Sequence, residues 1–265
     1  METTRSADGT TIAFERWGSD VPIILVAGAT CARGVLQPLA EALAPHTTAL
    51  SYDRRGRGDS DDASDPPPWD VEREVEDIAA LIEVVGGEAD LYGHSSGAAV
   101  AVHAAAAGLA VRRLVLHDAP YNAAGAGSEQ DSVDWHHELH ALLADGRAGD
   151  AVAAFMARVG MPDDMVAGMQ QGPMWPGMVA IGPSLAYDSA AMGDETGGRV
   201  PVELLGRVAV PTLVLVGGAD YGFMVDVARE MTEALPDGRS EQMVGADHGA
   251  GPEVVVPRLL PFLRG

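Results

Sequence analysis

The sequence predicts an α/β protein with a mostly parallel sheet that is covered by helices on both faces. In the first half of the chain, short runs rich in β-branched residues alternate with segments of helical apolar spacing, as in successive βαβ units. After His117 the alternation stops, and Ala119–Ala209 show helical patterns but no convincing strand. We therefore expect residues 1–118 and 210–265 to form one core. Residues 119–209 are expected to form a helical cap over the carboxyl edge of the sheet, where such folds bind ligands.

Turn-forming residues bound the predicted elements of the core. Asp8-Gly9 is a hairpin signal before the first long strand, and Asp70 is placed to cap a helix. The predicted strands are Thr10–Trp17, Pro22–Ala27, Thr47–Tyr52, Glu88–Tyr92, Arg112–His117, Pro211–Val216 and Arg239–Val244. The predicted helices are Gly34–Ala44, Asp70–Val85, Ser96–Ala107, Met224–Leu235 and Pro252–Leu263 in the core, and Val133–Leu143, Asp150–Val159 and Asp163–Gln171 in the cap. Asp53–Asp62 and Asp65–Pro68 are predicted loops.

The composition excludes several classes of function. The 265 residues are 47% hydrophobic and 21% charged, as in folded proteins with one good-sized core. All 17 basic residues are arginine, which excludes a lysine Schiff base, a pyridoxal phosphate anchor and a P-loop. With 39 acidic residues the formal net charge is −22, which disfavours nucleic acid and anionic membranes as partners.

The chain is expected to be a cytoplasmic protein. Its single cysteine, Cys31, excludes an intrachain disulfide and a zinc site of several cysteines. Residues Met1–Asp20 are acidic and lack the apolar segment of a secretory signal. The apolar run Val21–Ala29 is far too short to span a membrane.

A candidate nucleophile lies between a predicted strand and a predicted helix. Gly93-His94-Ser95-Ser96-Gly97 matches the pattern G-x-S-x-G, in which the central serine occupies a strained turn at the start of a helix. Ser95 is therefore the predicted nucleophile. The amide of Ser96 is one predicted donor to an oxyanion, and the amide of Ala29, in the loop after Pro22–Ala27, is the other.

A serine nucleophile needs a general base and an acid that orients it. Among eight histidines, His248 is favoured as the base because it lies in a loop between the last predicted strand and the last helix. Asp220 and Asp118 both follow predicted strands and are the two candidate acids. His136 and His140 have the spacing of a metal-binding pair, but a solvated helix face is the favoured interpretation, and no metal is predicted.

At these residues the chain resembles the α/β-hydrolase superfamily. The resemblance rests on the turn Gly93–Gly97, on Tyr52–Ser60, on Gly217–Asp220 and on Asp247–Gly249. It implies an eight-stranded, mostly parallel sheet and a Ser-His-Asp triad without a cofactor. The family order Ser, Asp, His favours Asp220 over Asp118 as the acid.

Two features set the chain apart within that resemblance. Ala27-Gly28 stands where the family usually has His-Gly at the oxyanion loop. Serine, and not aspartate, stands at the nucleophile position, which argues against epoxide opening and halide removal.

The expected function is hydrolysis of a small or medium, largely apolar ester, lactone or thioester through an acyl-enzyme. The residues predicted to contact this small-molecule substrate are Tyr121, Trp135, Met174, Trp175 and Tyr221. A cofactor-free haloperoxidase or perhydrolase, a carbon–carbon bond hydrolase and a biosynthetic cyclase or lyase remain open on the same scaffold. A ligand-binding receptor with vestigial hydrolysis is the alternative from another class, and a homodimer is also left open.

Overall fold

Eight strands form one sheet in the computed structural model, which describes residues 1–63 and 69–265. They are β1 Glu2–Arg5, β2 Thr11–Trp17, β3 Pro22–Val26, β4 Thr48–Tyr52, β5 Ala89–His94, β6 Val111–His117, β7 Thr212–Val216 and β8 Gly238–Gln242. The spatial order is β1-β2-β4-β3-β5-β6-β7-β8. Strand β2 pairs antiparallel with β1 and β4, and β3 to β8 run parallel. The predicted fold class is confirmed.

The eight predicted helices are present with shifted ends, and the described residues contain three more that were not predicted. In chain order they are α1 Gln37–Leu43, α2 Val71–Val84, α3 Ser96–Ala106, α4 Glu129–Ala144, α5 Ala148–Arg158, α6 Asp163–Gln170, α7 Trp175–Ile181, α8 Leu185–Met192, α9 Val202–Leu205, α10 Phe223–Ala234 and α11 Pro252–Arg264, with α7 to α9 as the three additional helices. Asp70 caps α2 through the amide of Glu72, as predicted. The helix predicted from Gly34 begins only at Gln37, because a short 3₁₀ turn precedes it. The predicted loop Asp65–Pro68 lies outside the described residues.

Both faces of the central strands are buried. In β3, Ile24 and Val26 pack into the apolar cluster under α2, α3 and α10, whereas Ile23 and Leu25 pack into the cluster under α1 and α11. A strand that is covered on both sides needs apolar residues at every position, which explains the continuous run PIILV. The carboxyl ends of these strands are thereby held at one fixed edge of the sheet.

The segment 119–209 contributes α4 to α9 between β6 and β7. It has an apolar cluster of its own, in which Trp135, Leu139 and Val152 are buried. Ala29 of the core packs against that cluster, so the helices lie beside the loop that follows β3. In the described part of the chain, no helix combines the length and the apolar character needed to cross a membrane.

Candidate active site

Ser95 occupies the tight turn between β5 and α3. Its backbone is at φ 57° and ψ −130°, a conformation that is rare for a residue with a side chain. A Cβ on Gly93 would lie 2.5 Å from the Cα of Ala98, so the turn closes only with glycine there. The Ser95 amide donates to the carbonyl of His117 at the end of β6, 2.9 Å away. The serine is therefore presented at the amino end of α3, where the helix dipole stabilises negative charge.

His248 lies in the loop between β8 and α11 and lines the same cavity as Ser95. Its carbonyl is 2.9 Å from Nε2 of His94, and the two rings are 4.6 Å apart. The ring of Tyr221 meets the imidazole edge to face at 5.7 Å. In the described part of the chain the Ser95 hydroxyl makes no hydrogen bond to His248, and such bonds often tighten only when substrate binds.

The structure places Asp118, and not Asp220, beside the His248 ring. Oδ2 of Asp118 lies 3.4 Å from His248 Nδ1, and Asp118 is buried. The carboxylate of Asp220 is exposed and accepts the main-chain amide of His248 at 3.1 and 3.2 Å. The choice of Asp220 as the ring partner is therefore corrected in favour of Asp118. Sheet order alone would not predict this, because β7, which leads to Asp220, lies beside β8, whereas β6, which leads to Asp118, is one strand further from β8.

The pKa values of Asp118 and His94 favour a charged carboxylate and a neutral His94 ring at this site. Burial raises the pKa of Asp118, but the adjacent His117 and His248 imidazoles outweigh it and hold the pKa below its usual range. Burial, followed by the proximity of His117 and His248, lowers the pKa of His94 to about 3. His94 therefore stays neutral at any ordinary working pH.

Backbone strain is concentrated at this site. In residues 1–63 and 69–265, four non-glycine residues have positive φ, and three of them are Thr30, Ser95 and Asp118. Such conformations persist only where the surroundings enforce them, and they cluster at functional sites. Asp118, one of the two acids proposed from the sequence, thus combines a positive φ with the contact to His248.

The loop after β3 lies against the nucleophile. A Cβ on Gly28 would be 2.8 Å from the Cβ of Ser95, which excludes a side chain at that position. Both Ala29 and Ser96, the predicted amide donors, line the cavity. The carbonyls of Ala27 and Gly28 accept from Arg54 Nη1 at 3.1 Å and from Arg57 Nη1 at 2.6 Å. Two buried guanidiniums thus fix the loop without the His-Gly sequence that is usual there.

A buried ionic network links this loop to α8. Asp188 accepts from Arg54 at 2.6 Å, from Arg57 at 2.7 Å and from the hydroxyl of Ser96 at 2.7 Å. The carboxylate of Glu74 in α2 accepts hydrogen bonds from Nε and Nη2 of Arg54, each at 2.6 Å. The two cations are therefore balanced by two carboxylates, one of them from the helical segment. Asp188 was not among the residues predicted for the site, because it lies about 90 residues from Ser96 along the chain.

The cavity has a volume of about 1340 Å³. Trp135 and Tyr221, two of the five residues predicted to contact substrate, line it. The other three predicted contacts lie elsewhere: Tyr121 is buried in the core, Met174 is 76% exposed, and Trp175 packs within the helical segment. Methionine and aromatic residues in a helical segment serve packing as readily as binding, and composition does not separate the two. Among the described residues, no group of three His, Cys, Asp or Glu side chains is arranged to hold a metal ion.

Comparison with known proteins decides the family. A model described as "Alpha/beta hydrolase family" matches residues 23–258. This chain belongs to the α/β-hydrolase family. An α/β hydrolase from Sphaerobacter thermophilus DSM 20745 is 44% identical, with a TM-score of 0.84 over 99% of this chain and 100% of the other. The enol-lactonase of Burkholderia xenovorans LB400 shares the fold, with 20% identity, a TM-score of 0.66 and full coverage of both chains.

A curated relative of this hydrolase is the N-formylmaleamate deformylase of Pseudomonas putida strain KT2440. The two are 32% identical over 155 residues, which is 57% of this chain. The match spans 58% of the deformylase's own length. The shared segment is therefore a little over half of either protein.

Proposed function

We propose that this chain hydrolyses a carboxylic ester, lactone or thioester with Ser95 as nucleophile, His248 as general base and Asp118 as the acid that orients it. The observation that carries the proposal is that three chain segments meet at the carboxyl edge of the sheet, where Ser95 and His248 line one cavity and Asp118 lies beside the His248 ring. Ser95 follows β5, Asp118 follows β6, and His248 follows β8. Nucleophile, base and orienting acid in this arrangement are the parts that acyl transfer requires.

In the proposed mechanism, Ser95 Oγ attacks the acyl carbonyl carbon while His248 Nε2 takes the hydroxyl proton. The amides of Ala29 and Ser96 hold the oxyanion. The alcohol or thiol leaves with the proton that His248 returns, which gives the acyl-enzyme. Water then attacks with His248 again as base, and the acid leaves as Ser95 regains its proton. Asp118 keeps the proton of His248 on Nδ1 and stabilises the imidazolium.

The cavity favours a neutral substrate of moderate size. Its volume suits a molecule larger than a simple acetyl ester. Its lining contains six acidic and two arginine side chains: Asp131, Asp188, Asp194, Asp226, Glu230, Glu233, Arg158 and Arg229. Together with the chain's net charge of −22, this lining repels anions. We propose that residues 119–209 act as a cap that covers the substrate, since α4, α5 and α8 supply much of the cavity wall.

Hydrolysis of p-nitrophenyl esters of increasing acyl length tests the proposal. We expect turnover that falls on the order of 10⁶-fold in Ser95→Ala and in His248→Ala. Ser128→Ala is the matched control, because Ser128 also lines the cavity but lies away from the strand ends. An N-formyl amide is included because the P. putida relative is named a deformylase. Equal turnover by wild type and Ser95→Ala on every substrate would overturn the proposal.

A further inference from the structure

Three buried polar atoms face one another around Asp118. Its Oδ2 lies 3.4 Å from His248 Nδ1 and 3.5 Å from His117 Nε2. None of the three atoms makes a hydrogen bond of ordinary geometry among the described residues. An unpaired polar atom in the interior is costly, so these atoms serve as one another's partners. The second oxygen, Oδ1, accepts the Gly217 amide at 2.9 Å. The proposed acid therefore faces two imidazoles and not one.

The contact of His117 at its other nitrogen fixes which way its proton points. The hydroxyl of Tyr92 lies 2.6 Å from His117 Nδ1. Tyr92 is buried, and burial raises its pKa, so the hydroxyl keeps its proton and donates it to Nδ1. The neutral ring then carries its proton on Nε2, directed at the Asp118 carboxylate. The opposite tautomer would place the lone pair of His117 Nε2 against the Asp118 carboxylate, which is unfavourable.

We propose that His117 is a positioning residue that shares the Asp118 carboxylate with His248 and thereby makes His248 a weaker base. This inference rests on the proposed triad. A carboxylate that already accepts a hydrogen bond has less negative charge to offer an imidazolium. His248 therefore stays unprotonated, and able to accept the serine proton, to a lower pH than it would beside an unshared carboxylate.

Among the described residues around His248, no other titratable side chain contacts Asp118 in the way that His117 does. The titratable side chains around His248 are His94, Asp118, Asp220, Tyr221 and Asp247. His94 is held neutral by burial. The carboxylates of Asp220 and Asp247 accept main-chain amides of the loop. All five residues are retained when His117 alone is substituted, so we attribute a changed titration of His248 in that variant to the loss of His117.

The test is an NMR titration of ¹⁵N-labelled histidine in the full chain, with the pH profile of kcat/KM beside it. In His117→Leu we expect the midpoint of the His248 titration, and the acid limb of the profile, to rise by about one pH unit. His117→Gln restores a donor near Nε2 and should recover at least half of that rise. His103→Leu is the matched control, because His103 is a half-buried histidine on α3 that contacts the Ala191 carbonyl, and it should shift nothing.

Two results would overturn the inference. One is a His117→Leu midpoint within about 0.2 units of wild type, and the other is identical behaviour of the Leu and Gln variants. If the Leu variant does not fold, His117→Met carries the test, since it also removes the donor at Nε2, and an unchanged midpoint then refutes the sharing. The titration needs no substrate, so it remains decisive even if every ester fails and the proposed function falls.

Discussion

Asp118→Asn tests the triad acid most directly, because asparagine keeps the shape of the side chain and reverses the polarity of one atom. The Oδ1 of the asparagine can still accept the hydrogen bond of the Gly217 amide, which lies 2.9 Å from Oδ1 of Asp118 in the wild type. The asparagine Nδ2 replaces the oxygen that lies 3.4 Å from His248 Nδ1 and 3.5 Å from His117 Nε2. A donor at that position drives the His248 proton from Nδ1 to Nε2, where it blocks acceptance of the serine proton.

The magnitude follows from that change of tautomer. A wrong tautomer in a Ser-His-Asp triad costs roughly 10⁴ in kcat, or about 5.5 kcal/mol in the barrier. We therefore expect Asp118→Asn to lose about 10³ to 10⁴ in kcat with little change in KM. Folding should survive, since asparagine tolerates the φ of 48° at this position.

The comparison variant is Asp220→Asn, assayed on the best p-nitrophenyl ester beside wild type. Its amide oxygen can still accept the His248 main-chain amide, and its lost charge is exposed. We expect less than about a tenfold change in kcat. A loss of about 10³ in Asp220→Asn, together with more than a tenth of wild-type activity in Asp118→Asn, would refute the reasoning. Circular dichroism of both variants separates lost chemistry from lost structure.

Three further outcomes are expected. Asp188→Asn leaves one buried arginine charge unbalanced, so urea unfolding should show a loss of about 3–5 kcal/mol, and a value under about 1 kcal/mol would contradict the buried network. Gly28→Ala places a methyl group 2.8 Å from the Ser95 Cβ, so kcat should fall at least about tenfold while Gly34→Ala, in open space, changes little. Burial raises the pKa of Asp90 to about 6. The folded protein therefore keeps this proton to a higher pH than the unfolded chain, and the free energy of unfolding falls as pH rises from about 4 to 6. Asp90→Asn should be about 1–3 kcal/mol more stable than wild type at pH 8 but not at pH 4.

The order of strands and helices was readable from the sequence because local patterns encode it. The unbroken apolar run Pro22–Val26 indicates a strand that is buried on both faces. The helical spacing of apolar residues after Asp70 indicates a helix with one buried face. The turn around Ser95 was readable because a short sequence pattern marks it. Gly93 is required by atoms of Gly97 and Ala98, within five residues of it, whereas Gly97 is required by the distant backbone of Val26 and Ala27. The loop that carries His248 followed from its place after the last strand.

The identity of the acid partner was decided by the tertiary structure. Asp118 and Asp220 both follow strands, and only the path of the loop after β8 places the His248 ring beside one of them, although β7, which leads to Asp220, is the strand next to β8. The buried pair of Asp188 and Ser96 joins residues about 90 positions apart, which no local pattern records. The same holds for Tyr121, Met174 and Trp175, whose residue types suit a pocket but whose positions in the fold lie outside it. Secondary structure is dictated by neighbours along the chain, whereas an active site is dictated by neighbours across the sheet, and only folding establishes those.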